Sequence, residues 1–236
     1  MQVVCLLFCL FSLEVRASES WPDALAQMPL GSNVRLLHRG NCVDVMLSAL
    51  QSNAVVKALV FMPGATDELY TFRRANAELT NTPPTLLDAV CALTNQTLIR
   101  ATFRPPFLLL HTDKDKLEPV IEIEQQTMAD KLKRARFVAH EIFNDRDWDY
   151  LQPVLKRTLK TDVVPWQYSY DSWHFYRVSF AEWSLTGWEA LEAVALASKT
   201  RISSRGNTGF TLRRPQVVFQ SDTSARSLPK QERSPP

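Results

Sequence analysis

The sequence predicts an α+β protein built from two small βαββαβ modules, with helices packed on one face of each sheet. Three observations predict it. Short β-branched or aromatic runs alternate with helical stripes, the order of elements in the first half returns in the second, and matching helix faces accompany the matching order. With 236 residues, 45% of them hydrophobic and 22% charged, the chain can bury the core that such a fold needs. The net charge is +2, with Lys and Arg interspersed among Asp and Glu, so no strong field would draw nucleic acid or anionic lipid.

The first 17 residues read as a signal peptide. Val3 to Leu13 is almost wholly apolar, and Val15-Arg16-Ala17 places small residues where a signal peptidase favours them. The run is too short to span a bilayer, and no later run is long enough, so the mature chain is expected to have no integral membrane segment and to be periplasmic or secreted. Cys42 and Cys91 remain after cleavage. In an oxidising compartment they are a possible disulfide; on apolar helix faces they are equally well buried thiols.

The first module is placed at residues 33–112. Asn33 to Arg39 is its opening strand, broken at Gly40-Asn41, where Asn41 can cap a helix carrying Val43, Met46, Leu47 and Leu50. Val55 to Met62 is a buried strand stopped by Pro63-Gly64. Leu69 to Leu79 alternates loosely. Pro83-Pro84 opens a second helix with Leu86, Leu87, Ala89, Val90 and Leu93 on its stripe. Leu98 to Thr112 then reads as a hairpin turning at Pro105-Pro106.

Residues 113–135 are expected to link the modules, although Val120 to Glu124 alternates like an edge strand and Gln125 to Arg134 suits a helix. The second module, 136–215, repeats the order: a strand to Phe143, a helix with Trp148, Leu151, Leu155 and Leu159, strands at Val163–Tyr170 and His174–Trp183, a helix from Trp188 to Leu196, and a hairpin around Gly206-Asn207. The tail, 216–236, is rich in Ser, Pro, Arg and Gln and has the composition of a disordered segment.

The run Thr82 to Thr97, with its helix Leu86-Leu-Asp-Ala-Val-Cys-Ala-Leu93, followed by Arg100-Ala-Thr-Phe103 and Phe107-Leu-Leu-Leu110, resembles the second half of a secretin and TonB short N-terminal (STN) domain. Asn41 to Met62 is similar to that domain's first helix and strand, and 136–215 is a fainter copy. Thr97-Leu98 stands where the family usually has Gly. The resemblance implies a periplasmic interaction module without catalysis.

Chemistry-bearing patterns are sparse. The six glycines form no G-x-G-x-x-G, P-loop or G-x-S-x-G elbow, so those nucleotide sites and the usual serine-hydrolase nucleophile are excluded, and no cofactor is implied. Phe61 to Asp67 and Leu108 to Asp115 look like strand ends of an α/β-hydrolase, but no strand–nucleophile–helix unit lies between them. His111, Asp113 and Asp115 share a parity that could suggest a metal site, yet Lys114 and Lys116 beside them make it a poor ligand set. The second module is crowded with aromatics. Trp166, Tyr168 and Tyr170 share one side of a strand, and Trp173 begins the next. Most such residues fill cores, but part of this strip can face outward as a binding face.

The function expected from these features is an exported, non-catalytic interaction or scaffolding module of the bacterial envelope with an envelope protein as partner. The alternative is a cell-wall glycan binder using the Trp-rich face; a hydrolase-like enzyme is the weakest reading.

Overall fold

The computed structural model describes residues 20–38, 40–62, 76–112, 117–136, 141–146, 148–160, 162–165, 178–205 and 209–213. Along the chain come α1 (Trp21–Ala26), β1 (Leu36–Leu37), α2 (Cys42–Ala49), β2 (Ala58–Phe61), β3 (Ala77–Glu78), α3 (Leu86–Gln96), β4 (Arg100–Arg104), β5 (Phe107–His111) and β6 (Val120–Glu122). There follow α4 (Gln126–Arg134), β7 (Glu141–Arg146), α5 (Trp148–Leu159), β8 (Asp162–Pro165), β9 (Val178–Glu182), α6 (Gly187–Ser198), β10 (Arg201–Arg205) and β11 (Gly209–Arg213). The chain is mixed α+β, as the sequence predicts.

Every residue of β2 and β5 is buried. A strand buries all its side chains only when both faces of its sheet are covered. These two strands lie inside a five-stranded sheet of order β4-β5-β2-β9-β7. Because successive side chains point to opposite faces, the sheet feeds two cores. Ala58, Val60, Phe107, Leu109 and Phe180 enter one, with Phe143, Leu155, Leu191, Val194, Ile202 and Phe210. Leu59, Phe61, Leu108, Leu110 and Ala181 enter the other, with Leu25, Leu37, Met46, Leu47, Val90 and Leu93. Helices α1–α3 and the two-stranded β1-β3 ladder supply the second core; α4–α6 and a four-stranded sheet of order β6-β10-β11-β8 supply the first.

This corrects the expectation of two self-contained sheets with helices on one face of each. β2, from the first half, pairs antiparallel with β9, from the second, Ala58 opposite Glu182 through Phe61 opposite Ser179. The boundary drawn at 113–135 is therefore not a break in the sheet, and the central sheet carries helices on both faces. The physical reason lies in the apolar runs Ala58–Phe61 and Phe107–Leu110, which have no polar side to turn to water.

The pairing pattern is nonetheless repeated. In the first half β1 pairs antiparallel with β3, β4 antiparallel with β5, and β2 parallel with β5. In the second β7 pairs antiparallel with β9, β10 antiparallel with β11, and β8 parallel with β11. Equivalent helices start alike. Thr85 and Asp88 cap each other's backbone at the start of α3, and Thr186 and Glu189 do so at α6. The first turn is tied to the preceding segment in both: Leu86 N–H donates to the Met28 carbonyl, and Gly187 N–H to the Ala135 carbonyl. Helix α1 packs on α3 as α4 packs on α6.

Residues 113–135 do more than link, since β6 and α4 lie there, where alternation and helix-compatible composition point. Helix α1 precedes the first predicted element. Its Ser20 cap and Pro22 in the first turn are legible start signals, but only Ala24 and Leu25 are buried, too few for a periodic stripe. Asn41 does not cap α2. Its Oδ1 accepts from His38 N–H and its Nδ2 donates to the Leu36 carbonyl, which ties the turn back to β1.

Phe180 is fully buried beneath the β2–β9 junction and stacks on Phe143 at 4.5 Å between centroids. Phe180→Ala is expected to lower the unfolding free energy by about 3–5 kcal/mol in a single urea transition. A loss of less than about 1 kcal/mol, or two separate transitions, would show that the shared sheet does not couple the halves.

Candidate functional site

The residues singled out by sequence fall into three groups. Trp166, Tyr168, Tyr170 and Trp173 lie outside the described residues, as do Asp113 and Asp115. Cys42 and Cys91 are both free thiols, so the possible disulfide is not formed. The reason is their placement: Cys42, at the first position of α2, turns into the core, whereas Cys91 is on the solvent side of α3, between the buried Val90 and Ala92. His111 is described, and it is a satisfied structural side chain. Its Nδ1 lies 2.7 Å from the Thr112 carbonyl and its Nε2 2.9 Å from the Thr102 hydroxyl. A carbonyl can only accept, so the ring donates from Nδ1 to Thr112, and Nε2 shares a hydrogen bond with the Thr102 hydroxyl. Both ring nitrogens are thereby engaged in holding the end of the β4–β5 hairpin. Among the described residues no group of three His, Cys, Asp or Glu side chains could hold a metal ion.

Two tryptophans of the second half, Trp183 and Trp188, have local tasks. Trp183 Nε1–H donates to the Leu50 carbonyl at 3.0 Å and fixes the end of α2 to the central sheet. Trp188, in the first turn of α6, donates to Glu192 Oε1 at 3.2 Å and lies under the Lys133 ammonium at 5.3 Å. Glu189 on the same helix approaches Lys57 at 4.0 Å. Burial pushes the Glu192 carboxyl above its ordinary value; the Trp188 hydrogen bond and the Arg104 charge act against that rise, and the Glu189 charge adds to it. The group is a charged seam between α6 and the central sheet.

The feature best suited to meet another molecule is the outer edge of β4. An edge strand exposes backbone N–H and C=O groups that can pair with a further strand. The other edges of the two large sheets are blunted. β7 carries a register irregularity between Phe143 and Arg146, β8 ends in Pro165, and β6 is three residues long. β4 is regular over five consecutive pairs with β5, from Arg100 opposite His111 to Arg104 opposite Phe107. Ala101 and Phe103 turn to the core side, where Phe103 stacks on Trp21 with ring centroids 6.2 Å apart. Arg100 is exposed, and Arg104 donates to the Leu117 carbonyl. Leu98, just before the strand, is an apolar side chain left 84% exposed. Sequence reading finds the hairpin but not that β4 ends the sheet among the described residues, because strand order is set by pairings distant along the chain.

Comparison with protein-family models, with curated proteins and with solved structures finds no match. Among the described residues no helix is long and apolar enough to cross a membrane.

Two outcomes follow from this chemistry. Burial pushes the Cys42 thiol up to about 12, so it stays protonated at neutral pH. Of these two cysteines, a maleimide at pH 7.5 (about one thiol equivalent) is expected to modify Cys91 and spare Cys42 until denaturant is added, as read by peptide mass mapping. Equal labelling of both would contradict the packing of α2. Glu192→Gln keeps an acceptor for Trp188 while removing the charge. A raised carboxyl pKa costs stability once pH exceeds the unfolded-state value, with the full cost above the folded-state value. The variant is therefore expected to melt slightly higher than the parent at pH 7, the advantage vanishing as pH falls below the ordinary Glu range; a pH-independent difference would refute the assignment.

Proposed function

We propose that this protein is an exported interaction or scaffolding module of the bacterial cell envelope, binding a protein partner through a sheet edge. The observation that carries the reading is the regular outer edge of β4, on which no strand among the described residues lies, next to the exposed Leu98. A rigid sheet edge offers ready hydrogen-bonding groups with little ordering to be done on the module's side, which suits strand addition. The leader-like segment ending at Ala17 supports export, and the resemblance of 33–112 to STN domains supports a periplasmic binding role.

Two measurements test the reading. The protein expressed in its own host is expected to begin at Ser18, and an intact Met1 terminus on the folded product would remove the case for export. The tagged chain is expected to retain one stoichiometric envelope protein, with slowed hydrogen exchange along a sheet edge of the chain. Failure to find any saturable partner, or protection confined to helix surfaces, would overturn the proposal.

A further inference from the structure

We propose that residues 117–135, a strap carrying β6 and α4, are held on α6 by an acid-tightened latch: proton uptake by Glu192 docks the strap more firmly, and at neutral pH it lifts more often. The inference is independent of the interaction-module reading. It starts from how little holds the strap. β6 pairs with β10 over three residues, Val120 opposite Arg201 to Glu122 opposite Ser203. α4 buries Ala129 and Leu132 and partly covers Met128, a narrow apolar face for a helix of nine residues. Each end of the strap is tied by a side chain. Arg104, in the β4–β5 hairpin, donates to the Leu117 carbonyl at 3.1 Å, and Lys133, in the last turn of α4, places its ammonium 5.3 Å from the centre of the Trp188 ring. Glu192 stands next to both ties: it accepts from Trp188 Nε1–H at 3.2 Å and feels the charge of Arg104.

A charge on Glu192 works against the packed state. The carboxyl is half-buried and lies three residues after Glu189 on the same helix, where like charges repel. Its donor, the Trp188 indole, is neutral, and among the described residues no cation comes within ion-pair distance of it. The charged groups on the elements around it have other contacts. Lys57, just before β2, approaches Glu189 at 4.0 Å, Arg104 is on Leu117, and Lys133 is over Trp188. Glu122 of β6 pairs with Arg201 of β10, and Glu182 of β9 accepts from Leu185 N–H. Burial is the largest influence on Glu192 and raises its pKa; the Trp188 bond and the Arg104 charge oppose the rise, and Glu189 adds to it. A carboxyl whose pKa is raised by packing favours the packed state when protonated, and that advantage is lost as pH rises through the packed-state value. Lifting the strap uncovers Trp188 and returns Glu192 beside it to water, so a proton on Glu192 opposes lifting.

Amide hydrogen exchange of the full chain, compared at each pH with Glu192→Gln, tests the latch. The amides of α4 are expected to exchange faster than those of β2 and β5, which marks lifting of the strap without global unfolding. At about pH 7 the parent is expected to open at α4 about fivefold more often than the variant, and the excess is expected to vanish at about pH 3.5, below the ordinary Glu range. A second measurement needs no variant: in the parent the Glu192 carboxyl and the Trp188 indole N–H signals are expected to titrate together, above that range. The latch is overturned if α4 exchanges no faster than β2 and β5, or if α4 opens equally often in parent and variant at neutral pH while only the central sheet differs. An excess that persists in acid, or an indole signal that does not follow the carboxyl, overturns it as well.

Discussion

Two strands without a polar side organise this molecule. Ala58–Phe61 and Phe107–Leu110 must lose contact with water on both faces, so the sheet that holds them needs a layer of helices above and below. Neither half of the chain supplies both layers. The first contributes α1–α3 to one face; the second contributes α4–α6 to the other and extends the sheet with β9 and β7. The β2–β9 pairing follows from that requirement, and it converts two repeats into one hydrogen-bonded body.

The repetition of pairings shows how the same local rules produce different surroundings. Each half has a two-stranded ladder, a three-stranded group and a helix that begins with a Thr-x-x-acid box. In the first half the ladder β1-β3 is a separate two-stranded sheet among the described residues. In the second the equivalent ladder, β7-β9, is joined to the central sheet. The three-stranded group of the first half becomes the middle of the protein, and that of the second becomes an outer sheet. Equivalent residues therefore meet different fates: Leu37 is buried beneath a small ladder, whereas Phe143 and Phe180 stack in the larger core.

These surroundings also sort the polar side chains. His111 is held by Thr102 and a backbone carbonyl, Trp183 by the Leu50 carbonyl, and Glu192 by Trp188, so each has a structural task at a junction between elements. What remains for recognition is the periphery. A sheet protected on both faces is approached through its edges, and bulge, proline and short length leave β4 as the most regular of these.

Local signals in the sequence went far. Alternation, proline and capping residues locate α3, the β4–β5 hairpin, α5, α6 and the β10–β11 hairpin, because their determinants lie within a turn or two of the residues concerned. The Thr85-Asp88 and Thr186-Glu189 boxes of the structure align the two halves, setting Asp88 opposite Glu189. The sequence by itself thus determined the α+β class and the interleaving of helices and strands. Only the tertiary structure decided that β2 pairs with β9, that Cys42 and Cys91 stay apart, and that β6 covers β10. These depend on contacts between residues tens of positions apart, and no short window of sequence specifies which of several compatible strands will be the neighbour.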